Sequence, residues 1–192
     1  MSSVSSPHGA REDTASILAV GTVVWLASEL MFFSGLFAAY FTLRASAVVW
    51  PPRDVNLDQT TALVGTLVLI ASSGTMQLGV RAILRDDRRH FLRWLGLTFV
   101  LGSAFVALQA WDWSRLDFSV ASNAYGSAFY LTTGFHALHV IGGLAAMLVV
   151  AGRATSPRFG VRDAPSVEML SYYWHFVDVV WIALYATIFL LK

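Results

Sequence analysis

Cysteine is absent from the 192-residue chain. That excludes disulfides, thiolate metal sites, covalent c-type haem attachment and cysteine nucleophiles. Charge is scarce too: Asp, Glu, Lys and Arg make up 13% of the residues and the formal net charge is +1. No general attraction to nucleic acid or acidic partners follows from such a balance. The opening stretch MSSVSSPHGAREDTAS lacks the basic n-region of a cleaved secretory signal, so residues 1–16 read as a loose cytoplasmic tail. What the chain has in quantity is apolar: 56% hydrophobic residues and a mean hydropathy of +0.61. These values exceed those of water-soluble domains and indicate an integral membrane protein.

Five apolar runs follow, near 17–43, 60–84, 91–111, 125–150 and 167–191. A helix needs roughly 20 residues to cross a bilayer core, and each run suffices. In lipid every backbone polar group must be satisfied within the protein, which for runs without strand alternation means helices. The expected fold is all-α, one domain over residues 17–192 forming a five-helix transmembrane bundle. Arg11, Arg81, Arg85, Arg88, Arg89, Arg93, Arg153, Arg158 and Arg162 fall on one side, against Arg44, Arg53, Arg115 and Lys192 on the other. The excess places the N-terminus in the cytoplasm and the C-terminus outside. Trp50, Trp111 and Trp113 near the outer helix ends fit an interfacial aromatic belt.

Ionisable groups inside the runs demand explanation. Glu29 lies in the middle of WLASELMFFSGLF, His136 and His139 in the fourth run, His175 and Asp178 in the fifth. Burying one charge at such depth costs about 3 kcal/mol on insertion scales, so these groups are expected to face protein rather than lipid. His136 with His139, and His175 with Asp178, share the i, i+3 spacing that puts two side chains near one helix face. Glu29 belongs to a stripe with Trp25, Phe33, Leu36 and Tyr40. The simplest arrangement is one hydrogen-bonded interior cluster joining the first, fourth and fifth helices. Small and hydroxyl residues, Ser72, Ser73, Gly74, Thr75 and Gly79 on the second helix and Gly126, Gly134, Gly142 and Gly143 on the fourth, permit close helix contact. His90, set among arginines, reads as a solvated or headgroup contact.

Histidines and carboxylates are metal-ligand types, so a metal or haem enzyme has to be weighed. A membrane desaturase would show further histidine boxes near the cytosolic helix ends, and a two-haem bundle would need facing axial histidines at two depths. A proton-coupled transporter is the alternative from another class, though no internal repeat or broken helix pair is visible. A structural polar cluster and a proton- or lipid-related one both remain open on these grounds.

Three segments, WLASELMFFSGLFAAYF, AYGSAFYLTTGFHALHVIGG and SYYWHFVDVVWIALY, together resemble subunit III of the haem-copper oxidases, specifically the cytochrome c oxidase branch, in the short five-helix bacterial form. The similarity runs from about Val20 to Leu191. The resemblance implies a non-redox subunit of a proton-pumping oxidase that reduces oxygen to water in the bacterial cell membrane. Haem a and copper are then expected in partner subunits, with no catalytic or metal-ligating residue in this chain. It further implies packing on oxidase subunit I, contact with subunit II and accessory subunits, bound phospholipid, support of proton uptake, and conceivable association with a cytochrome bc complex. Glu29 matches the family's buried carboxyl in S-E-x-M-F-F, while His136, His139, Trp174, His175, Asp178 and Trp181 match its later motifs. Trp25, Tyr40, Trp174 and Trp181 are the helix-packing and lipid-contact candidates. Departures include QAWDW, where the family often has Q-A-x-E-Y, so no family role is carried onto Asp112 or Trp113; Ala137 stands where Gly is common. Quinol-oxidase subunit III and a nitric-oxide-reductase accessory protein with a looser match at the C-terminal motif are the sibling alternatives.

Overall fold

Five helices account for most of the chain in the computed structural model, which describes residues 9–53 and 55–191, with side chains from Val20 onward. They are α1 (Gly9–Ser46), α2 (Gln59–Leu84), α3 (Arg88–Trp113), α4 (Ala124–Arg153) and α5 (Ala164–Tyr185), the last continued by a π-helical turn to Leu190. All five contain a stretch long and apolar enough to cross a membrane, and no strand occurs among the described residues. The fold is all-α and polytopic, as the hydropathy runs indicate.

The helix starts follow from local chemistry. Asp58 caps α2 by accepting from the backbone N–H of Thr60 and Thr61 at 3.0 and 3.2 Å. Asp87 caps α3 through His90 N–H, and Asn123 caps α4 through Gly126 N–H. Such caps satisfy amide groups that a helix start otherwise leaves orphaned. The Thr61 hydroxyl and its N–H, then Thr60, hold the Asp58 carboxyl below the usual carboxylate range; His90 does the same for Asp87. Pro165 sits in the first turn of α5, where a missing N–H costs nothing. α1 departs from expectation, because it begins at Gly9 rather than near Ile17. A helix is not confined to its apolar run, and Ala10, Arg11, Glu12 and Ala15 favour helix outside the bilayer as well as inside. Residues 1–8 of the expected tail lie outside the described residues.

α2 and α3 form an antiparallel hairpin closed by a short turn in which Asp86 adopts φ 58°. α5 is the hub. It lies against α2, α4 and α1, and 56% of its membrane-length window is buried, against 6% for α1, which packs on the flank formed by α4 and α5. Large apolar side chains such as Met31, Leu67, Leu138 and Val179 therefore point outward, as lipid-facing positions do.

The bundle closes tightly around Trp174. Its indole is fully buried between α3 and α4, where Cβ atoms placed at Gly102 and Gly143 would stand 2.7 and 2.8 Å from the ring. Only glycine allows both backbones to come so near a large aromatic ring. In lipid, where apolar surface gains little by leaving its surroundings, this kind of close packing is the main cohesive force.

Candidate functional site

The polar groups expected to form one cluster divide into two hydrogen-bonded sets and one isolated ring. Glu29 Oε2 lies 3.0 Å from His139 Nε2, joining α1 to α4. On the ring's other side, Nδ1 lies 2.6 Å from the carbonyl oxygen of Phe135. A carbonyl only accepts, so Nδ1 carries a proton. The contact between Nε2 and Oε2 therefore holds a single proton, either on the acid or on the imidazole. Both placements leave the pair without net charge, which is how an acid is tolerated at this depth. The pair is not in a dry core: its side chains are 21% and 17% exposed, on the flank where α1 crosses α4. Phe33 and Phe32 lie against the His139 ring, and the Tyr173 hydroxyl donates to the His139 carbonyl at 2.9 Å.

The second set joins α2 to α5. His175 Nδ1 is 2.8 Å from Ser73 Oγ, and the Ser73 hydroxyl donates to Asp178 Oδ2. Because that hydroxyl spends its one proton on the carboxylate, the imidazole is the donor to serine. Two further bonds run along the same seam. Trp174 Nε1 donates to Ser72 Oγ and Trp181 Nε1 to Thr66 Oγ1, each at 2.9 Å. Trp174, Asp178 and Trp181 form one α5 stripe, answered by Thr66, Ser72 and Ser73 on α2.

His136 joins neither set. It is wholly buried, neither ring nitrogen has a hydrogen-bond partner among the described residues, and its ring lies edge-on to Phe105 at 5.8 Å and tilted over Trp181 at 5.0 Å. The single cluster spanning the first, fourth and fifth helices is thus corrected. The reason is geometric: residues three apart diverge by about 60° on a helix, so His139 meets α1 while His136 turns inward to α3 and α5. α5 is central, and its polar stripe meets α2 rather than α1. Among the described residues no three or more His, Asp or Glu side chains come together to hold a metal ion.

The packing candidates occupy distinct places. Trp25, 46% exposed, stacks on Tyr173 at 4.9 Å and so braces α1 against α5. Tyr40 is buried at the other end of α1 and accepts from Trp50 Nε1 at 3.0 Å. Thr66 as a partner of Trp181 was not singled out from sequence; a hydroxyl stripe on α2 matching the indole stripe on α5 was the available signal. The N-terminal half of α1 stands off α5 to leave an apolar crevice of about 770 Å³, lined among others by Leu26, Leu30, Met169, Phe176 and Val179. A second, of about 530 Å³, opens on the α4 side beside Trp25, Val149 and Leu170.

Comparison with known proteins agrees with this architecture. The profile of the family described as "Cytochrome c oxidase subunit III" matches residues 4–192. Similar proteins include a "Probable cytochrome c oxidase subunit 3" of Mycobacterium tuberculosis, 49% identical over 92% of this chain and 89% of the relative. Another from Nocardia farcinica, also named "Probable cytochrome c oxidase subunit 3", is 47% identical with the same coverage. The "Cytochrome c oxidase subunit 3" of Thermostichus vulcanus is 36% identical over 90% of this chain and 86% of its own length. With five membrane-length helices in place and the match extending over almost every residue, the chain belongs to the cytochrome c oxidase subunit III family.

Proposed function

We propose that this chain is the non-redox subunit III of a proton-pumping cytochrome c oxidase in a bacterial plasma membrane, its N-terminus in the cytoplasm. There it stabilises the catalytic subunit, holds phospholipid and supports proton uptake. The partners are oxidase subunits I and II, which carry haem a and copper and reduce oxygen to water. Family membership and the names of the relatives support the assembly.

The observation that carries the proton-linked part is the Glu29–His139 pair. One proton shared between an acid and an imidazole passes from one to the other without creating net charge. The pair sits at a partly open flank, where exchange with a neighbouring subunit or water is feasible. The lipid part rests on the crevice of about 770 Å³ between α1 and α5, whose walls are apolar and whose rim carries Glu168. An acyl chain fills such a slot at no desolvation cost.

Affinity purification of the chain in mild detergent, with subunit identification and a reduced-minus-oxidised spectrum, tests the assembly. Subunits I and II with haem a are expected; recovery with haem b and a quinol-oxidising core refutes the cytochrome c assignment. Glu29→Gln then separates the two roles of the acid. Assembly stays intact and turnover declines over repeated cycles; unchanged sustained turnover leaves the pair a purely structural role.

A further inference from the structure

The apolar crevice of about 770 Å³ between α1 and α5 is bordered by a nitrogen that the packing leaves unused. His175, half-buried on α5, forms part of the crevice wall. The Nδ1 edge of its ring is turned to α2, where it donates to Ser73, so the edge left for the crevice carries Nε2. A neutral imidazole that donates through one nitrogen only accepts through the other. Nε2 is therefore an acceptor without a partner among the described residues, and it is not sealed in the core as both nitrogens of His136 are.

The surroundings narrow what that acceptor can meet. His175 lies roughly 16 Å along α5 from its start at Ala164, which is about half the thickness of a bilayer core. Phosphate headgroups stay outside that core, and at the rim of this crevice they would meet an acid, Glu168, while no Arg or Lys lines it among the described residues. Tyr172 and Phe176 flank His175 on α5 and offer aromatic faces to the same space. The other walls, among them Leu26 and Leu30 of α1, are apolar. A few placed polar atoms in an otherwise apolar cleft are the usual make-up of a small-molecule site.

We propose that the deep end of this crevice binds a hydroquinone with an apolar tail, one phenolic O–H donating to His175 Nε2, the ring lying against Phe176 and Tyr172, and the tail running out between α1 and α5. The ring supplies the donor that Nε2 lacks. Aromatic pairs favour offset or edge-on contact, which two flanking aromatic side chains permit. An uncharged head also reaches this depth without the cost that a phosphate or a carboxylate carries. The corresponding quinone presents carbonyl acceptors alone, so the site holds the reduced form in preference. A fatty acid would have to enter protonated and has no ring to lay on Phe176. The inference rests on the reading of the crevice as a slot for a membrane amphiphile, and adds which head its deep end selects.

The test is binding to the purified oxidase, stripped of loosely held lipid and kept under argon with cyanide so that no probe is turned over. It is titrated with decylubiquinol, decylubiquinone or palmitoyl-oleoyl phosphatidylglycerol, and the molecule retained by subunit III is read by native mass spectrometry. The expected result is one site about tenfold tighter for decylubiquinol than for decylubiquinone, the worth of one hydrogen bond. His175→Phe removes that preference. Val179→Trp, at an exposed position on the crevice wall, lowers retention of the quinol, and Leu67→Trp, exposed on α2, leaves it unchanged. Equal affinity for the two oxidation states, or a preference that survives His175→Phe, overturns the proposal. If phosphatidylglycerol is meanwhile retained and is lost in Val179→Trp, the crevice still stands as an amphiphile slot; if no probe responds to Val179→Trp, the crevice reading falls with the proposal. The comparison of the two oxidation states needs no variant, so it stays decisive even if His175→Phe does not assemble.

Discussion

Replacing Gly143 by alanine is expected to weaken the bundle severely, although it adds one methyl group to a helix and improves helix propensity. The new Cβ would lie 2.8 Å from Trp174 Cε3, 2.9 Å from Cζ3 and 3.2 Å from Tyr173 Cε1. Carbon atoms pack best at about 3.5–4.0 Å, so the ring must retreat by roughly 0.7 Å or more. Retreat is opposed on the α3 side, where the ring lies so near the Gly102 backbone that a Cβ there would stand 2.7 Å from Cη2, and by the bond that ties Nε1 to Ser72 at 2.9 Å. Overpacking of this kind costs about 1–3 kcal/mol. That is roughly a five- to 150-fold change in the folded-to-unfolded ratio. The assay is reversible unfolding of the purified subunit in mixed micelles with rising SDS, followed by helical circular dichroism. Gly74→Ala and Gly35→Ala are the controls, because an added Cβ meets nothing within 4 Å at either place. They should be neutral or stabilising by up to about 1 kcal/mol, the helix-propensity difference. A double variant with Trp174→Leu should recover most of the loss. If Gly143→Ala unfolds alongside Gly74→Ala, the reasoning that Trp174 is clamped between two glycines is wrong.

Three other outcomes follow from the same geometry. Thr66→Val and Trp181→Phe, measured singly and together by the same unfolding assay, should show a coupling of about 0.6 kcal/mol, the usual worth of an interhelical hydrogen bond in a membrane; strict additivity would mean the 2.9 Å bond contributes nothing. Glu29→Leu strands His139 Nε2 and should cost about 1–3 kcal/mol, most of it regained in Glu29→Leu with His139→Phe, and equal losses in the single and double variants would count against the pair. Acidification should loosen the starts of α2 and α3: the folded-state carboxyls of Asp58 and Asp87 titrate below their unfolded values. Their stabilisation is therefore complete above the unfolded carboxylate range near pH 4 and lost as pH falls through the folded values. Amide exchange at Thr60, Thr61 and His90 reads this directly, and protection that does not change between pH 5 and pH 2.5 would refute it.

Much of this protein was legible because bilayers impose few options. A run of about 20 apolar residues has one backbone solution in lipid, so the helix count and approximate limits follow from hydropathy alone. The caps at Asp58, Asp87 and Asn123 were not read from the sequence, although each is a residue type that favours that position. The presence of an acid at Glu29 in the middle of an apolar run, and the need for it to find a neighbour, required nothing beyond the sequence.

Which neighbour it finds was decided by tertiary structure. Helical periodicity says that His136 and His139 diverge, but not which of α1, α3 and α5 each will meet, because that depends on the order in which helices surround one another. α1 packs on the flank of α4 and α5, so Glu29 meets His139 and His136 is left alone among aromatics. The α2–α5 seam of Thr66, Ser72 and Ser73 against Trp174, His175, Asp178 and Trp181 arises because α5 is central. Length and polarity act along the chain and are written in it; helix adjacency is a collective result of close packing, settled where glycines let Trp174 enter and where bulk keeps other faces apart.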